Sequence, residues 1–249
     1  MSGFGETEKK YEEAARARRV RNLSFAAKGV LFTDIDSAYI DENVIIGAGS
    51  RIGPCVTIRG TAVIGADCVI GQNSEIENCV IGDGVRVIQS VLKDSAVGKG
   101  SAIGPFAYLR PGSAVGDFVK IGDFVEVKNA NIGDGTKVSH LSYVGDADLG
   151  PGVNIGCGVV FVNYDGREKR RSTVGGGAFV GCNVNIIAPV SIGEKAYIAA
   201  GTTVTRDVPG GSLCVSREKA KIFDGWVERR GLLAGRIKAF GEIEKEQRP

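Results

Sequence analysis

The stretch Ile46-Gly47-Ala48-Gly49-Ser50-Arg51-Ile52-Gly53-Pro54-Cys55-Val56-Thr57-Ile58-Arg59-Gly60-Thr61-Ala62-Val63-Ile64 carries the pattern that decides the fold. An aliphatic residue returns every six positions, at Ile46, Ile52, Ile58 and Ile64, and the series continues through Ile70 and Ile76. One residue is dropped before Ile81, the spacing loosens between 87 and 96, and the step resumes at Val97, Ile103, Leu109, Val115, Ile121 and Val127. Further single omissions precede Ile132 and Leu149. After an excursion at 163–171 the series runs Val174, Val180, Ile186, Ile192, Ile198 and Val204. Gly commonly follows the aliphatic residue, as at Gly47, Gly53 and Gly65. A small or β-branched residue stands four positions after it, as at Ser50, Val56, Cys68 and Thr136.

A flat sheet with period-two alternation does not fix a six-residue step. A parallel β-helix does. Each hexad is one short strand and a corner, and three hexads close a coil. The chain then returns to the same place one strand spacing up, about 4.8 Å. The aliphatic and small residues face inward, and Gly is expected at corners whose backbone a side chain would hinder. Residues 46–205, without the excursion, predict about eight coils. Helix-forming residues of mixed charge fill 6–28, and a second such segment over 218–246 is interrupted by Gly225, Gly231, Gly235 and Gly241. The expected organisation is an N-terminal helical arm (1–30), an all-β parallel β-helix (31–215) and a C-terminal helical arm (216–249).

Composition narrows the function. The chain has 249 residues, 31 Lys+Arg against 29 Asp+Glu, and 43% hydrophobic residues. A net charge of +2 leaves no polyanion footprint and argues against nucleic-acid binding. The 37 Gly residues are about twice the usual share of about 7%. There is one His, and the six Cys residues lack metal-site spacing, so no His-rich metal site is expected within one chain. The first residues lack an apolar signal region, and no apolar run approaches the 18 or so residues of a membrane span. A cytoplasmic protein with reduced thiols is the default.

Coil arithmetic then picks out neighbours. Arg110 and Lys128 both take the place after the aliphatic residue and are 18 apart, so they stack on adjacent coils. Two cations so close repel unless an anion lies between them, and a phosphate is the obvious ligand. Tyr143 lies beside the same corner. His140, Cys157, Cys182 and Ala200 each stand two residues after an aliphatic position and form a line along another corner, with Asn154 beside it. Small residues above the imidazole make a track for a long, thin ligand such as a pantetheine arm. The excursion Asn163-Tyr164-Asp165-Gly166 with Arg167, Lys169, Arg170 and Arg171 leaves the regular repeat, and its basic residues could face the phosphates of a nucleotide cofactor.

Residues 103–226 closely resemble the acetyltransferase half of the bacterial bifunctional enzyme that makes UDP-N-acetylglucosamine. The resemblance rests on Ile-Gly-Pro-Phe-Ala-Tyr-Leu-Arg-Pro-Gly (103–112), Phe-Val-Glu-Val-Lys-Asn-Ala (124–130), His-Leu-Ser-Tyr-Val-Gly-Asp-Ala (140–147), Val-Asn-Ile-Gly (153–156), Asn-Tyr-Asp-Gly (163–166), Ala-Ala-Gly-Thr-Thr-Val-Thr-Arg-Asp-Val (199–208) and Gly-Trp (225–226). Residues 15–100 resemble that enzyme's connecting helix and first coils more loosely. The resemblance implies a left-handed β-helix, a homotrimer, and acetyl-CoA-dependent N-acetylation of glucosamine 1-phosphate without a metal. It implies His140 as general base. It also implies Arg110, Lys128, Tyr143 and Asn154 as sugar-phosphate contacts, and Cys157, Asn163, Tyr164, Cys182, Ala200 and Arg217 as acetyl-CoA contacts. Positions 157 and 182 are commonly Ala and Ser in that family, so a Ser hydroxyl contact is lost or weakened here. No sugar nucleotidyltransferase domain or Gly-rich nucleotide loop precedes residue 100, so uridylyl transfer is not expected of this chain. The alternatives are an acyltransferase for another amino sugar, which need not keep Arg110 and Lys128, and a non-catalytic β-helix subunit. A hexapeptide carbonic anhydrase would need three His around zinc.

Overall fold

The computed structural model describes residues 2–232. Short parallel strands from Leu31–Phe32 to Leu213–Cys214 stack into three sheets of 11, 10 and 9 strands, here called A, B and C. Successive strands pass from sheet to sheet, so each strand pairs with the strand one coil away rather than with its sequence neighbour. This is a parallel β-helix of about ten turns rather than the expected eight or so. The repeat reaches further at both ends than the aliphatic series suggests. Leu31–Phe32 pairs with Arg51–Ile52, and Tyr197–Ile198 pairs with Leu213–Cys214.

Register follows the aliphatic series. On sheet A, Ile52, Ile70, Val87, Ile103, Ile121, Val138, Ile155, Val180 and Ile198 pair in sequence, and all are buried. Ser50, Val56, Cys68, Thr136 and Thr202 are buried as expected of the second inward position. Buried hydroxyls find backbone partners: Ser50 Oγ donates to Gly65 O at 2.8 Å and accepts from Cys68 N at 3.0 Å. Each fully buried Ile contributes about 1.5–3 kcal/mol, so the interior stack is the main source of stability. The omitted residues shorten corners without disturbing register, since Ile64 still pairs with Ile81 and Ile132 with Leu149.

The Gly after most of the aliphatic residues, Gly104 with φ +98° excepted, has a different reason from the one expected. Gly47 and Gly156 do not need a positive φ. A Cβ there would lie 2.6 Å from Ala66 N or Cys182 N, the backbone of the next coil. Coils approach too closely at these positions for any side chain. The positive φ falls mostly three residues after the aliphatic position, and bulky residues accept it there: Cys55, Asp67, Phe106, Phe118, Phe124, Leu141 and Asn183.

The N-terminal helix spans Ser2–Ala26 and covers the first coil with its last turns. Phe25 is buried, Asn22 Nδ2 donates to Ile35 O and Ala38 O, and Arg18 lies 4.5 Å over the Tyr39 ring. Contacts divide the chain after Ser216. In the described part of the following unit, only Trp226–Arg229 is helical, one turn between Gly225 and Gly231. The helical arm expected over 218–246 is therefore absent from 218–225, and its remainder beyond 232 lies outside the described residues.

Candidate functional site

His140 ends the strand Lys137–His140 on sheet A, where the chain turns toward sheet B. Val138, Ile155, Val180 and Ile198 are in register, which places His140, Cys157, Cys182 and Ala200 in one column along that corner. His140, Cys182 and Ala200 are exposed and Cys157 is half-buried. Both thiols are free. Asn154 belongs to the next strand of sheet A and pairs with Lys137 on one side and Phe179 on the other. Below His140 the column holds a residue that the sequence reading missed. Asp123 is the register partner of His140, and its Oδ1 lies 2.6 Å from His140 Nδ1. Its own backbone N–H and the imidazole hold the Asp123 carboxyl below its ordinary value.

The cations lie one sheet away. Leu109 pairs with Val127 on sheet B, so Arg110 and Lys128 do stack. They do not face each other as two unpaired charges. Arg110 Nη1 donates to Glu126 Oε1 at 2.7 Å, which raises the guanidinium pKa. Lys128 instead lies beside Lys169 of the excursion. That second ammonium, followed by desolvation and Arg110, lowers the Lys128 pKa, while Asp146 opposes the shift. Three cations thus converge with two carboxylates, Glu126 and Asp146, among them.

Tyr143 pairs with Glu126 in the same sheet. A Cβ on Gly145 would lie 2.3 Å from the Tyr143 hydroxyl, so a glycine there lets the ring lie flat on the coil. Asn163 is buried next to it. Its Nδ2 donates to Tyr143 Oη at 3.3 Å and to Asp146 Oδ2 at 2.5 Å. Asn163 and Tyr164, grouped with the thiol column by the expected cofactor role, therefore stand at the cationic corner of their own chain. Tyr164 is exposed and donates to Gly166 O at 2.8 Å, closing the tip of the excursion.

The four basic residues of the excursion do not act together. Arg171 binds Asp148, Asn129 O and Ala147 O, and Arg170 pairs with Asp165 and Glu168. Lys169 turns to the cationic corner, beside Lys128. Arg217 is exposed and opens the unit that follows the β-helix. Among the described residues no group of three or more His, Cys, Asp or Glu is arranged to hold a metal. No described helix is long and apolar enough to cross a membrane.

Of the missed residues, Asp123 had a signal. It stands two residues after Ile121, as His140 does after Val138, so the column could have been extended downward. Glu126 also precedes an aliphatic position within the resembling stretch. Lys169 was read only as one of the excursion's four basic residues, because a loop outside the repeat has no register to read.

Three sheets of hexads with a charged corner, a thiol-lined corner and one imidazole define a hexapeptide-repeat β-helix protein. A family model described as the GMPPB C-terminal domain matches residues 34–140. The bifunctional protein GlmU of Clostridioides difficile (strain 630) is 54% identical over 221 residues, 89% of this chain and 48% of that protein. GlmU of Brevibacillus brevis is 54% identical over 191 residues, 77% of this chain and 41% of that protein. The chain is a homologue of the GlmU proteins and spans about half the length of these relatives. Among solved structures, a variant of perosamine N-acetyltransferase from Caulobacter crescentus, in complex with CoA and GDP-perosamine, matches 49% of this chain and 57% of that one. Its identity is 26% and the TM-score 0.42.

Proposed function

We propose that the chain transfers the acetyl group of acetyl-CoA to the 2-amine of glucosamine 1-phosphate, as the acetyltransferase part of a GlmU-type protein. The observation that carries this reading is the column of His140, Cys157, Cys182 and Ala200 in strict register. One imidazole stands at the foot of a row of small side chains.

An ammonium cannot attack a thioester. His140 accepts a proton from the amine as its nitrogen bonds to the acetyl carbon, and the carbon–sulfur bond then breaks. The proton passes to the departing thiolate. General-base help of this kind contributes about 10² to 10⁴ in rate. The tetrahedral oxyanion needs a backbone donor, and Cys157 and Gly158 are the candidates. Gly158 N–H is already directed at His140 O at 3.4 Å, which favours Cys157. Arg110 and Lys128 hold the sugar phosphate with Tyr143 and Asn154, and Lys169 joins them. Cys157, Cys182, Ala200, Asn163 and Tyr164 hold acetyl-CoA. The reaction needs no metal, because the amine and the thioester supply both nucleophile and leaving group.

The proposed substrate contacts lie at two corners of one chain, a sheet-B hexad apart. That spacing supports a homotrimer of parallel prisms, in which one chain's imidazole corner meets the cationic corner of the next. We place its action in the cytoplasm, where reduced thiols persist.

Thiol release from acetyl-CoA, followed with glucosamine 1-phosphate and a panel of amino sugars, tests the reading. We expect glucosamine 1-phosphate to be the best acceptor, free glucosamine a poor one, and His140→Ala to lower kcat at least 10²-fold. Equal turnover of glucosamine and its phosphate would remove the phosphate site. A His140→Ala variant at normal speed would remove the base.

A further inference from the structure

The strands Lys120–Asp123 and Lys137–His140 are four residues long, whereas the other described strands have two or three. The extra length carries the ladder to the corner and makes Asp123 and His140 register partners. Gly122 permits this, because a Cβ there would lie 1.9 Å from Ser139 O of the facing strand. Past the pair, Leu141 N donates to Asp123 O at 3.0 Å, and Ser142 Oγ donates to His140 O at 2.8 Å. The backbone of both residues is therefore fixed before their side chains meet.

The side chains meet at 2.6 Å, a charge-assisted distance. Asp123 is ionised at neutral pH and has no proton to donate, so the shared proton sits on His140 Nδ1. A ring protonated at Nδ1 keeps its Nε2 lone pair free. The side chains are 54% and 37% exposed, and an ion pair this exposed adds little to folding stability. Its geometry calls for a role in chemistry.

We propose that Asp123 is the positioning residue for His140, an inference that rests on reading His140 as the base. Asp123 holds the imidazole in the Nδ1–H tautomer and aims Nε2 at the acceptor amine. As Nε2 takes the amine proton, the carboxylate stabilises the imidazolium without itself accepting a proton. When Nε2 later protonates the CoA thiolate, the pair returns to its starting state.

The chain has one His, so nitrogen-15 spectra of the imidazole in this 249-residue chain report on that ring alone. The wild type is expected to show the Nδ1–H tautomer when the ring is neutral, and Asp123→Ala to shift it toward Nε2–H. In that variant kcat should fall about 10- to 100-fold while KM for both substrates stays within about threefold. Asp123→Asn keeps the side-chain shape, so it carries the same comparison should Asp123→Ala fold poorly. Its kcat should also fall, because a neutral amide cannot balance the imidazolium. A persistent Nδ1–H tautomer in Asp123→Ala, or an unchanged kcat in both variants, overturns the proposal. His140→Ala, assayed alongside, separates the two failures. Normal turnover there sinks the base reading itself, whereas an inactive His140→Ala beside full-speed Asp123 variants sinks Asp123 alone.

Discussion

Gly47 and Gly84 meet two different demands of the coil. A Cβ at Gly47 would strike the backbone of the next coil at 2.6 Å, although its own φ is ordinary. Gly84 has φ +66°, and a Cβ there would meet nothing within 4 Å. The sister position Asn73 adopts φ 56° with a side chain. Gly47→Ala should therefore destabilise by about 1–3 kcal/mol through forced separation of coils. Gly84→Asn should change stability by about 0.5 kcal/mol or less, because Asn tolerates the left-handed region. Denaturation of the two variants checks the ordering, and equal losses would contradict it. Composition announces that glycine is structural, but only the distance between coils separates these two reasons.

At the scale of the element, the excursion 163–171 is a device that returns one lysine to the prism. The Tyr164–Lys169 bridge, the Asp165 carboxylate receiving Arg167 N and Glu168 N, and the Arg171–Asp148 pair give the loop its shape. Lys169 then stands beside Lys128 and lowers its pKa. In the proposed reading, the cationic form of Lys128 is the one that holds phosphate. A lowered pKa means that Lys128 loses its proton at a lower pH than an ordinary lysine. Affinity for glucosamine 1-phosphate should therefore weaken on the alkaline side earlier than an unperturbed lysine would allow. Lys169→Ala should weaken binding near neutrality, because a cation is gone, and should move the alkaline loss to higher pH. Calorimetric titration of both proteins across that range compares them with the substrate's own ionisation held in common. An alkaline limb that stays in place in Lys169→Ala would show that the two ammonium groups are not coupled. None of this was legible in the loop sequence, which offered four cations of equal standing.

For the whole molecule, the sheets assign the proposed roles to separate corners. His140, Cys157, Cys182 and Ala200 follow sheet A, whereas Arg110, Lys128 and Tyr143 follow sheet B, with Asn163 at the end of the latter. A hexad spans up to about 20 Å of extended chain, less its turn, and a sugar phosphate is about half as long. Mixing two inactive variants tests whether sites are shared. Co-refolded His140→Ala and Lys128→Ala should regain part of the activity, since some interfaces then join two intact corners. Mixed trimers as inactive as their parents would place each site within one chain.

The sequence by itself determined the β-helix, its inward residues and the column above His140. Each follows from a six-residue period, and a period converts directly into register when every coil repeats the last. The omitted residues cost nothing in that reading, because corners absorb them. Only the tertiary structure decided what long side chains and loops do between coils. Asp123 meets His140 because two strands run to the corner and Gly122 lets them close. Glu126 takes Arg110 for itself, and Lys169 reaches Lys128 from a loop. A repeat fixes where a Cβ lies, whereas the destination of a flexible charged side chain depends on which partner the packed surface brings within reach.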